Sequence, residues 1–333
     1  MTDKNNKFAK YYFVLIFFKT FLFVSFVTIN TTDYSLPSTV APIMNHSSDI
    51  ALMGQFNYIN HNISTWANTW SKHIKNIVIA TPEGTPKQEL KSGSYLFYKG
   101  DKGHYSPYIN MGRVIRENRN IRGLLYVHDD LLIAGSIVRK IGGSEWVSSV
   151  ERHKARKNDN APKSVTVFKN GTFISDYRDV FSGHKYFRHV WGAWKQCHNS
   201  FMKMFNDPRF QPYLSEPQNE NSFFNASFGP SDMLYVYFDS DEQRSAFLEL
   251  VDLFAENKLF LECAVPTLVS LMRQRFEIKV HVAILCTDWY ELRGNAKKLI
   301  GTCLKKGVHE IFHPIKISEQ RDWPRIFTNV IKL

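Results

Sequence analysis

The sequence lacks the short motifs that identify the commonest nucleotide-binding and hydrolytic sites. It has no Gly-rich P-loop, no nucleophile elbow and no His-Glu-x-x-His zinc helix. Cysteine is scarce, with four residues in 333, and the spacing of the four matches no zinc-binding pattern. No internal repeat and no low-complexity run interrupts residues 75–333. A single domain without those site types is therefore the simplest interpretation.

Acidic residues are fewer than basic ones. The chain has 31 Asp and Glu against 42 Lys and Arg, which gives a formal net charge of +11. A basic excess favours anionic partners such as phosphates, nucleic acid, anionic lipids or acidic glycans. Hydrophobic residues make up 44% of the chain, which is enough for a sizeable core.

The N-terminus contains one long apolar run. Residues 11–29 read YYFVLIFFKTFLFVSFVTI, close to the length that crosses a bilayer. Three lysines precede the run and Asp33 is the first charge after it, so the positive-inside rule predicts a cytoplasmic tail at 1–10. Lys19 costs about 2.5–3.5 kcal/mol at a helix centre, which the surrounding apolar residues offset. A cleaved signal peptide is the alternative, although no small-x-small cleavage site follows.

Both alternatives send the rest of the chain to the lumen, where nucleic acid is not an expected partner. Glycosylation sequons agree with this location, and they begin at Asn30, Asn45, Asn62, Asn170 and Asn225. In an oxidising lumen the four cysteines allow up to two disulfides in three possible pairings. Buried free thiols are the alternative. These cysteines are Cys197, Cys263, Cys286 and Cys303.

Residues 30–72 are rich in Asn, Ser and Thr, and we predict a luminal stem that is mostly loop. The globular domain is predicted at 73–333. Its first part alternates strands with a helix, which favours a parallel α/β sheet flanked by helices. The predicted early elements are strands at 77–80, 94–98 and 124–127, and a helix at 110–120.

The second half of the domain continues with both element types. A hairpin is predicted at 164–174 around the Asn170-Gly171 turn, and a capping box at Ser240 opens a helix to about Asn257. The other predicted elements are helices at 190–205 and 295–306, a helix that opens at Glu262 and runs to Arg273, and strands at 233–238 and 279–285.

Two adjacent carboxylates end the strand at 124–127. Asp129 and Asp130 lie where this strand leaves the sheet, the position at which open α/β sheets bind ligands. Two neighbouring carboxylates repel each other unless a cation joins them, and a divalent metal carrying a phosphate is the usual solution. The alternative is a surface turn with two solvated acids. We predict direct metal contact by Asp130, a donor or second metal contact by Asp129, and a turn-shaping role for His128.

Three further residues are candidates for chemistry. Glu262 lies in the apolar segment FLECAVP, where burial would raise its pKa toward a value useful for a general base. Its alternative is a helix-start carboxylate stabilised by the helix dipole. Asp232 is the second catalytic candidate and precedes a strand, and its alternative is an ordinary turn acid. His313 is a candidate metal ligand, since Mn²⁺ accepts an imidazole beside carboxylates. Its alternative is a structural histidine next to a proline.

The order of anchor, stem, strand IVIATP, helix and strand GLLYVHDD resembles a Golgi glycosyltransferase of the GT-A fold. More narrowly, residues 75–333 resemble the STELLO-type glycosyltransferases through PYINMGRVIRENRNIRGLLYVHDDLLI, SDMLYV and FLECAVPT. The resemblance implies that Asp129 and Asp130 bind the metal and the diphosphate of a nucleotide sugar. The chain departs from the common Asp-x-Asp pattern because it has His-Asp-Asp. No matched motif supplies a base.

The resemblance thus implies a single-pass type II enzyme of the Golgi membrane. It would transfer a sugar from a nucleotide-sugar donor to a glycan or glycoprotein hydroxyl with Mn²⁺ or Mg²⁺ as cofactor. The candidates for binding the donor are Thr81, Asp101, Arg113 and Asp129. The second hypothesis is a catalytically inactive luminal domain that binds glycans or acts as a scaffold for another membrane enzyme.

Overall fold

The computed structural model describes residues 49–56, 63–81, 95–99, 106–151, 164–168, 193–214, 223–227, 231–287, 295–315 and 322–333. All of them belong to one unit, Pro42–Leu333. The strands are β1 Ile50–Gln55, β2 Asn76–Thr81, β3 Tyr95–Lys99, β4 Gly123–His128, β5 Leu132–Ile133, β6 Trp146–Glu151, β7 Ser164–Phe168, β8 Phe223–Ser227, β9 Met233–Tyr237, β10 Val280–Thr287 and β11 Ile311–His313. The helices are α1 Ile63–Trp70, α2 Ser106–Glu117, α3 Gly135–Val138, α4 Ala193–Phe205, α5 Asp241–Glu256, α6 Leu261–Phe276, α7 Ala296–Lys305 and α8 Trp323–Val330, with a 3₁₀ helix at Pro208–Tyr213.

Nine of these strands form one mixed sheet. Their order is β3-β2-β1-β4-β9-β6-β10-β11-β5. β9 runs antiparallel to both of its neighbours, and β5 runs antiparallel to β11. The remaining pairs are parallel, so seven of the nine strands run in one direction. The expectation of an α/β fold with a mostly parallel sheet flanked by helices is confirmed.

The central strands are apolar throughout because the sheet is covered on both faces. Along β4, Leu124 and Tyr126 pack into the core on the side of α2, α5 and α6. Leu125 and Val127 point to the other face and pack with α1, α7 and α8. This alternation accounts for the unbroken apolar run that precedes His128.

The predicted stem is wrong for part of its length. β1 lies between β2 and β4, and all six of its residues are buried. α1 packs its tryptophans into the same core, and a Cβ at Gly54 of β1 would lie 2.5 Å from the Trp66 ring. The domain therefore begins at or before Ile50 rather than at residue 73. Residues 30–72 were predicted as a stem from their polar composition, and this short apolar strand was included in it.

Most of the other predicted elements are confirmed. The strands predicted at 77–80, 94–98, 124–127, 233–238 and 279–285 correspond to β2, β3, β4, β9 and β10. Ser240 caps α5 by accepting a hydrogen bond from the Gln243 amide at 3.2 Å. β7 pairs with β8, whereas the predicted Asn170-Gly171 turn lies outside the described residues. β6 was not predicted.

Two disulfides are formed. Cys197 of α4 joins Cys263 of α6, and Cys286 of β10 joins Cys303 of α7. The sequence allowed three possible pairings of the cysteines and also allowed free thiols. It could not decide among them, since pairing depends on the tertiary packing of the helices. Each disulfide ties a helix to a neighbouring element of the domain.

Within the described part of the chain, no helix combines the length and apolar character needed to cross a membrane. The predicted anchor at 11–29 lies outside the described residues, as do the sequons at Asn30, Asn45, Asn62 and Asn170.

Candidate functional site

The candidate site lies at the edge of the sheet where the parallel strands end. β1 ends at Gln55, β4 at His128 and β11 at His313. Asp232 precedes β9, and because β9 is antiparallel to β4, its start lies at the same edge. The carboxyl ends of parallel strands are the usual ligand-binding edge of an open α/β sheet.

Backbone hydrogen bonds fix the turn after β4. The His128 amide donates to the Asp232 carbonyl at 2.8 Å, and the Asp129 amide donates to the Gln55 carbonyl at 3.0 Å. Beyond the turn, the Ile315 amide donates to the Asp130 carbonyl at 2.6 Å. Three separate segments therefore hold the two aspartates in place.

The side chains of this turn form a tight acid–imidazole cluster. His128 Nδ1 lies 2.8 Å from Asp130 Oδ1 and 3.1 Å from Asp129 Oδ1. His313 Nε2 lies 3.2 Å from the same Asp130 oxygen and 3.9 Å from Asp232 Oδ1. Asp129, Asp130 and His313 are each at most 5% exposed. The alternative of two solvated surface acids is therefore wrong.

Charge pairing outweighs burial in this cluster. Burial alone would raise the pKa of Asp130, but His313 and His128 hold it well below the usual range. Burial opposes protonation of His128, yet Asp130 and Asp129 raise its pKa well above the ordinary value. The pKa of His313 is likewise raised against burial, by Asp232 and Asp130. Without a cation, two imidazolium groups thus balance the carboxylates.

The donor set fits a divalent cation. One ligand atom from each of His128, Asp129 and Asp130 lies within 4.8 Å of the others. Asp129 Oδ1 is buried and has no hydrogen-bond partner among the described residues, despite its ion-pair contact with His128. A cation would satisfy this oxygen and replace the protons on the imidazoles. The set of carboxylate and imidazole ligands suits Mn²⁺.

Glu262 lies in the first turn of α6, as predicted. Burial and the charge of Asp232 together raise its pKa to about 8. Its Oε2 is buried and has no hydrogen-bond partner within the described ranges. The Asp232 side chain is 23% exposed, against 7% for Asp129 and 4% for Asp130, so it is the most accessible of these three acids. Glu262 therefore interacts electrostatically with Asp232 and with His128 of the acid–imidazole cluster.

The predicted donor-binding residues differ in position. Thr81 is buried at the end of β2, two strands from β4 at the same edge. Arg113 instead lies in the second half of α2, where its side chain is 47% exposed and pairs with Glu117 at 2.8 Å. Asp101 lies outside the described residues.

Two further polar residues border the site and were missed from the sequence. Asn110 of α2 donates to the Gln55 side chain at 2.9 Å, and both residues are buried. The Gln55 carbonyl receives the Asp129 amide, so this pair supports the turn. The available signal was the apolar run IALMG ending in a polar residue, which is too short to identify β1 without its neighbours in the sheet.

Tyr126 was also missed. It is fully buried on β4, and its pKa is raised by burial and by four acids, which are Asp232, Asp130, Glu262 and Asp129. Its hydroxyl therefore lies within electrostatic range of both the acid–imidazole cluster and Glu262. Periodicity gave no signal, because a core tyrosine and a site tyrosine follow the same pattern.

No protein-family model matches the chain, and no curated protein matches it significantly.

Proposed function

We propose that the chain is a metal-dependent glycosyltransferase with a GT-A-type domain, anchored as a type II protein in the Golgi membrane. It transfers a sugar from a nucleotide-sugar donor to a glycan or glycoprotein hydroxyl. The observation that carries the proposal is the buried His128-Asp129-Asp130 group at the carboxyl edge of the sheet, with Glu262 nearby at a raised pKa. The two disulfides agree with an oxidising lumen.

Asp130 and Asp129 would hold Mn²⁺ or Mg²⁺, with His128 and His313 as the nitrogen ligands. When bound, the cation neutralises the negative charge that builds on the departing diphosphate. The tight backbone turn fixes both carboxylates before the donor arrives, so little reorganisation is required on binding. Burial strengthens their electrostatic interaction with the cation.

Glu262 is the proposed general base that removes the proton from the attacking hydroxyl. With a pKa of about 8, most of this carboxyl is protonated at pH 7 in the metal-free protein. The positive charge of protonated His128 lowers that pKa and favours the active carboxylate. Asp232 acts in the opposite direction, because its negative charge helps to keep the pKa high.

Titration calorimetry tests the proposal directly. The full-length protein is titrated with Mn²⁺ and then with uridine, guanosine and cytidine diphosphates, each with and without Mn²⁺. We expect metal-dependent binding of at least one of the diphosphates. If a folded sample binds none of them in the presence of Mn²⁺, the proposal is wrong.

Two variants separate binding from chemistry. Asp130→Asn should abolish metal-dependent nucleotide binding. Glu262→Gln should retain it but lose turnover of the nucleotide sugar whose diphosphate binds. Asp252→Asn is the matched control, since its side chain is 50% exposed and pairs only with surface Arg116 in the described structure. Equal turnover in Glu262→Gln and the wild type would remove Glu262 from the mechanism.

One observation favours the second candidate function, an inactive luminal scaffold. Asp130 Oδ1 is already contacted by two imidazoles, so the cluster is balanced without any cation. Pull-down from Golgi membranes with an Asp129→Ala/Asp130→Ala double variant separates the two functions. Retained partner binding and an intact cellular role in that variant would favour the scaffold.

A further inference from the structure

Tyr126 has a hydroxyl that the fold does not use. The residue lies on β4, two positions before His128 and on the same face of the strand. It is fully buried, and its hydroxyl has no hydrogen-bond partner among the described residues. A buried hydroxyl without a hydrogen bond destabilises the folded protein. Phenylalanine would fill the same space without that cost, so packing does not explain the hydroxyl.

The other tyrosines that are equally buried all use their hydroxyls. Tyr108 donates to the Leu259 carbonyl at 2.8 Å, and Tyr213 donates to the Ala246 carbonyl at 3.0 Å. Tyr235 accepts from the Gly142 amide at 3.0 Å and donates to the Gly143 carbonyl at 3.1 Å. Tyr126 is thus the exception within the described core, and it is the one beside the acidic site.

The surroundings of Tyr126 supply acceptors. Four carboxylates act electrostatically on its hydroxyl, those of Asp232, Asp130, Glu262 and Asp129. Two of them carry a buried oxygen with no hydrogen-bond partner in the described structure, namely Asp129 Oδ1 and Glu262 Oε2. A tyrosine hydroxyl is a donor, whereas ionised carboxylates only accept. An unpaired donor therefore lies within electrostatic range of an unpaired acceptor, Glu262 Oε2, and of Asp129 Oδ1, whose contact in the described structure is His128 Nδ1.

We propose that Tyr126 is a positioning residue for the metal site. Its hydroxyl donates to the metal-binding carboxylates and orients them when a cation draws them together. Hydrogen bonds to ligating carboxylates typically change metal affinity by about 10–100-fold. The inference rests on the proposed metal binding and adds to it a residue that does not touch the cation.

The test compares two single-hydroxyl deletions in the full-length protein. Mn²⁺ affinity is measured by electron paramagnetic resonance of free Mn²⁺, and stability by thermal unfolding in EDTA. Tyr126→Phe should raise the Kd for Mn²⁺ about tenfold while its Tm stays equal to that of the wild type or increases. Tyr235→Phe is the matched control: it should lower Tm, because it removes two hydrogen bonds, and leave the Kd within twofold.

The outcomes are distinguishable. If the wild type binds no Mn²⁺, the proposed function fails and takes this inference with it. If the wild type binds Mn²⁺ and folded Tyr126→Phe binds it equally well, only the inference fails. Tyr126→Met, which also lacks the hydroxyl, replaces Tyr126→Phe if that variant does not fold. Failure of both variants to fold would make Tyr126 a structural residue and overturn the inference.

Discussion

Asp130→Asn is the sharpest test of the electrostatics of the cluster, and it needs no substrate. Two imidazoles contact Asp130 Oδ1, at 2.8 and 3.2 Å. Hydrogen bonds to charged groups contribute about 1.5–3 kcal/mol each. The imidazoles can lose their protons when the charge is removed, which limits the loss. We therefore expect Asp130→Asn to lower the free energy of unfolding by about 3 kcal/mol near pH 6.

The pH dependence follows from the direction of each shift. The pKa values of His128 and His313 are raised above 6.5 in the folded state. The stability that these two imidazoles contribute is therefore complete below about pH 6.5, and it is lost as the pH rises through their pKa values in the folded protein. The pKa of Asp130 is lowered below 3.8, so its contribution is complete above about pH 4 and is lost as the pH falls. The difference between wild type and variant should be largest from about pH 4.5 to 6.5 and smaller at pH 9.

Urea unfolding of the full-length protein in EDTA, followed by tryptophan fluorescence at pH 5.5, 6.5, 7.5 and 9, measures this difference. Asp252→Asn removes a carboxylate from an exposed ion pair and should cost less than about 1 kcal/mol at every pH. An Asp130→Asn effect of the same size at pH 5.5 and pH 9 would refute the reasoning, as would no effect at all.

Three further predictions concern packing, crosslinks and metal binding. Gly54→Ala should lower the free energy of unfolding by about 1–3 kcal/mol, because the new Cβ would lie 2.5 Å from the Trp66 ring. Gly301→Ala is the control in the same urea titration. It should raise the free energy of unfolding by about 0.5–1 kcal/mol, because Gly301 lies on α7 with open space around it. The double variant Cys286→Ala/Cys303→Ala should lower the free energy of unfolding by about 3 kcal/mol, since the disulfide closes a loop with a sequence separation of 17. Peptide mapping without reductant should recover the 286–303 and 197–263 disulfides, and any other pairing would contradict the structure. Mn²⁺ affinity should rise from pH 6 to pH 8, because the cation replaces protons on His128 and His313, whose pKa values are raised. Calorimetry in buffers of different ionisation enthalpy should detect the released protons. An affinity that does not change with pH would exclude the two histidines as ligands.

The sequence predicted the parts of the fold that depend on local pattern. β2, β4 and β9 are continuous apolar runs bounded by breakers, and Ser240 is a local cap, so both signals lie within a few residues. β1 was missed because its six residues follow a polar segment and lack flanking turn signals. A short central strand is identified mainly by the strands that pair with it, and the order of residues along the chain does not show which strands pair.

The candidate site was only partly predictable for the same reason. Asp129 and Asp130 are adjacent in sequence and at a strand end, so they could be identified as a pair. The contact of Asp130 with His313 depends on the position of β11 near the other edge of the sheet, next to β5. Arg113 lies in the second half of α2, where its side chain pairs with Glu117, and a helix prediction does not fix the ends of a helix closely enough to give that position.

The antiparallel insertion of β9 has a consequence for folding kinetics. It places Asp232 beside a turn formed about a hundred residues earlier in the chain, and the contact between Asp130 and His313 spans 183 positions. Contacts of such high sequence separation close large loops and form late. The cluster is therefore completed only after β4, β9 and β11 have all entered the sheet. A probe of the assembled cluster, such as the protonation of His313, would therefore report the stage of folding at which all three strands have joined the sheet, rather than the collapse of one part of the chain.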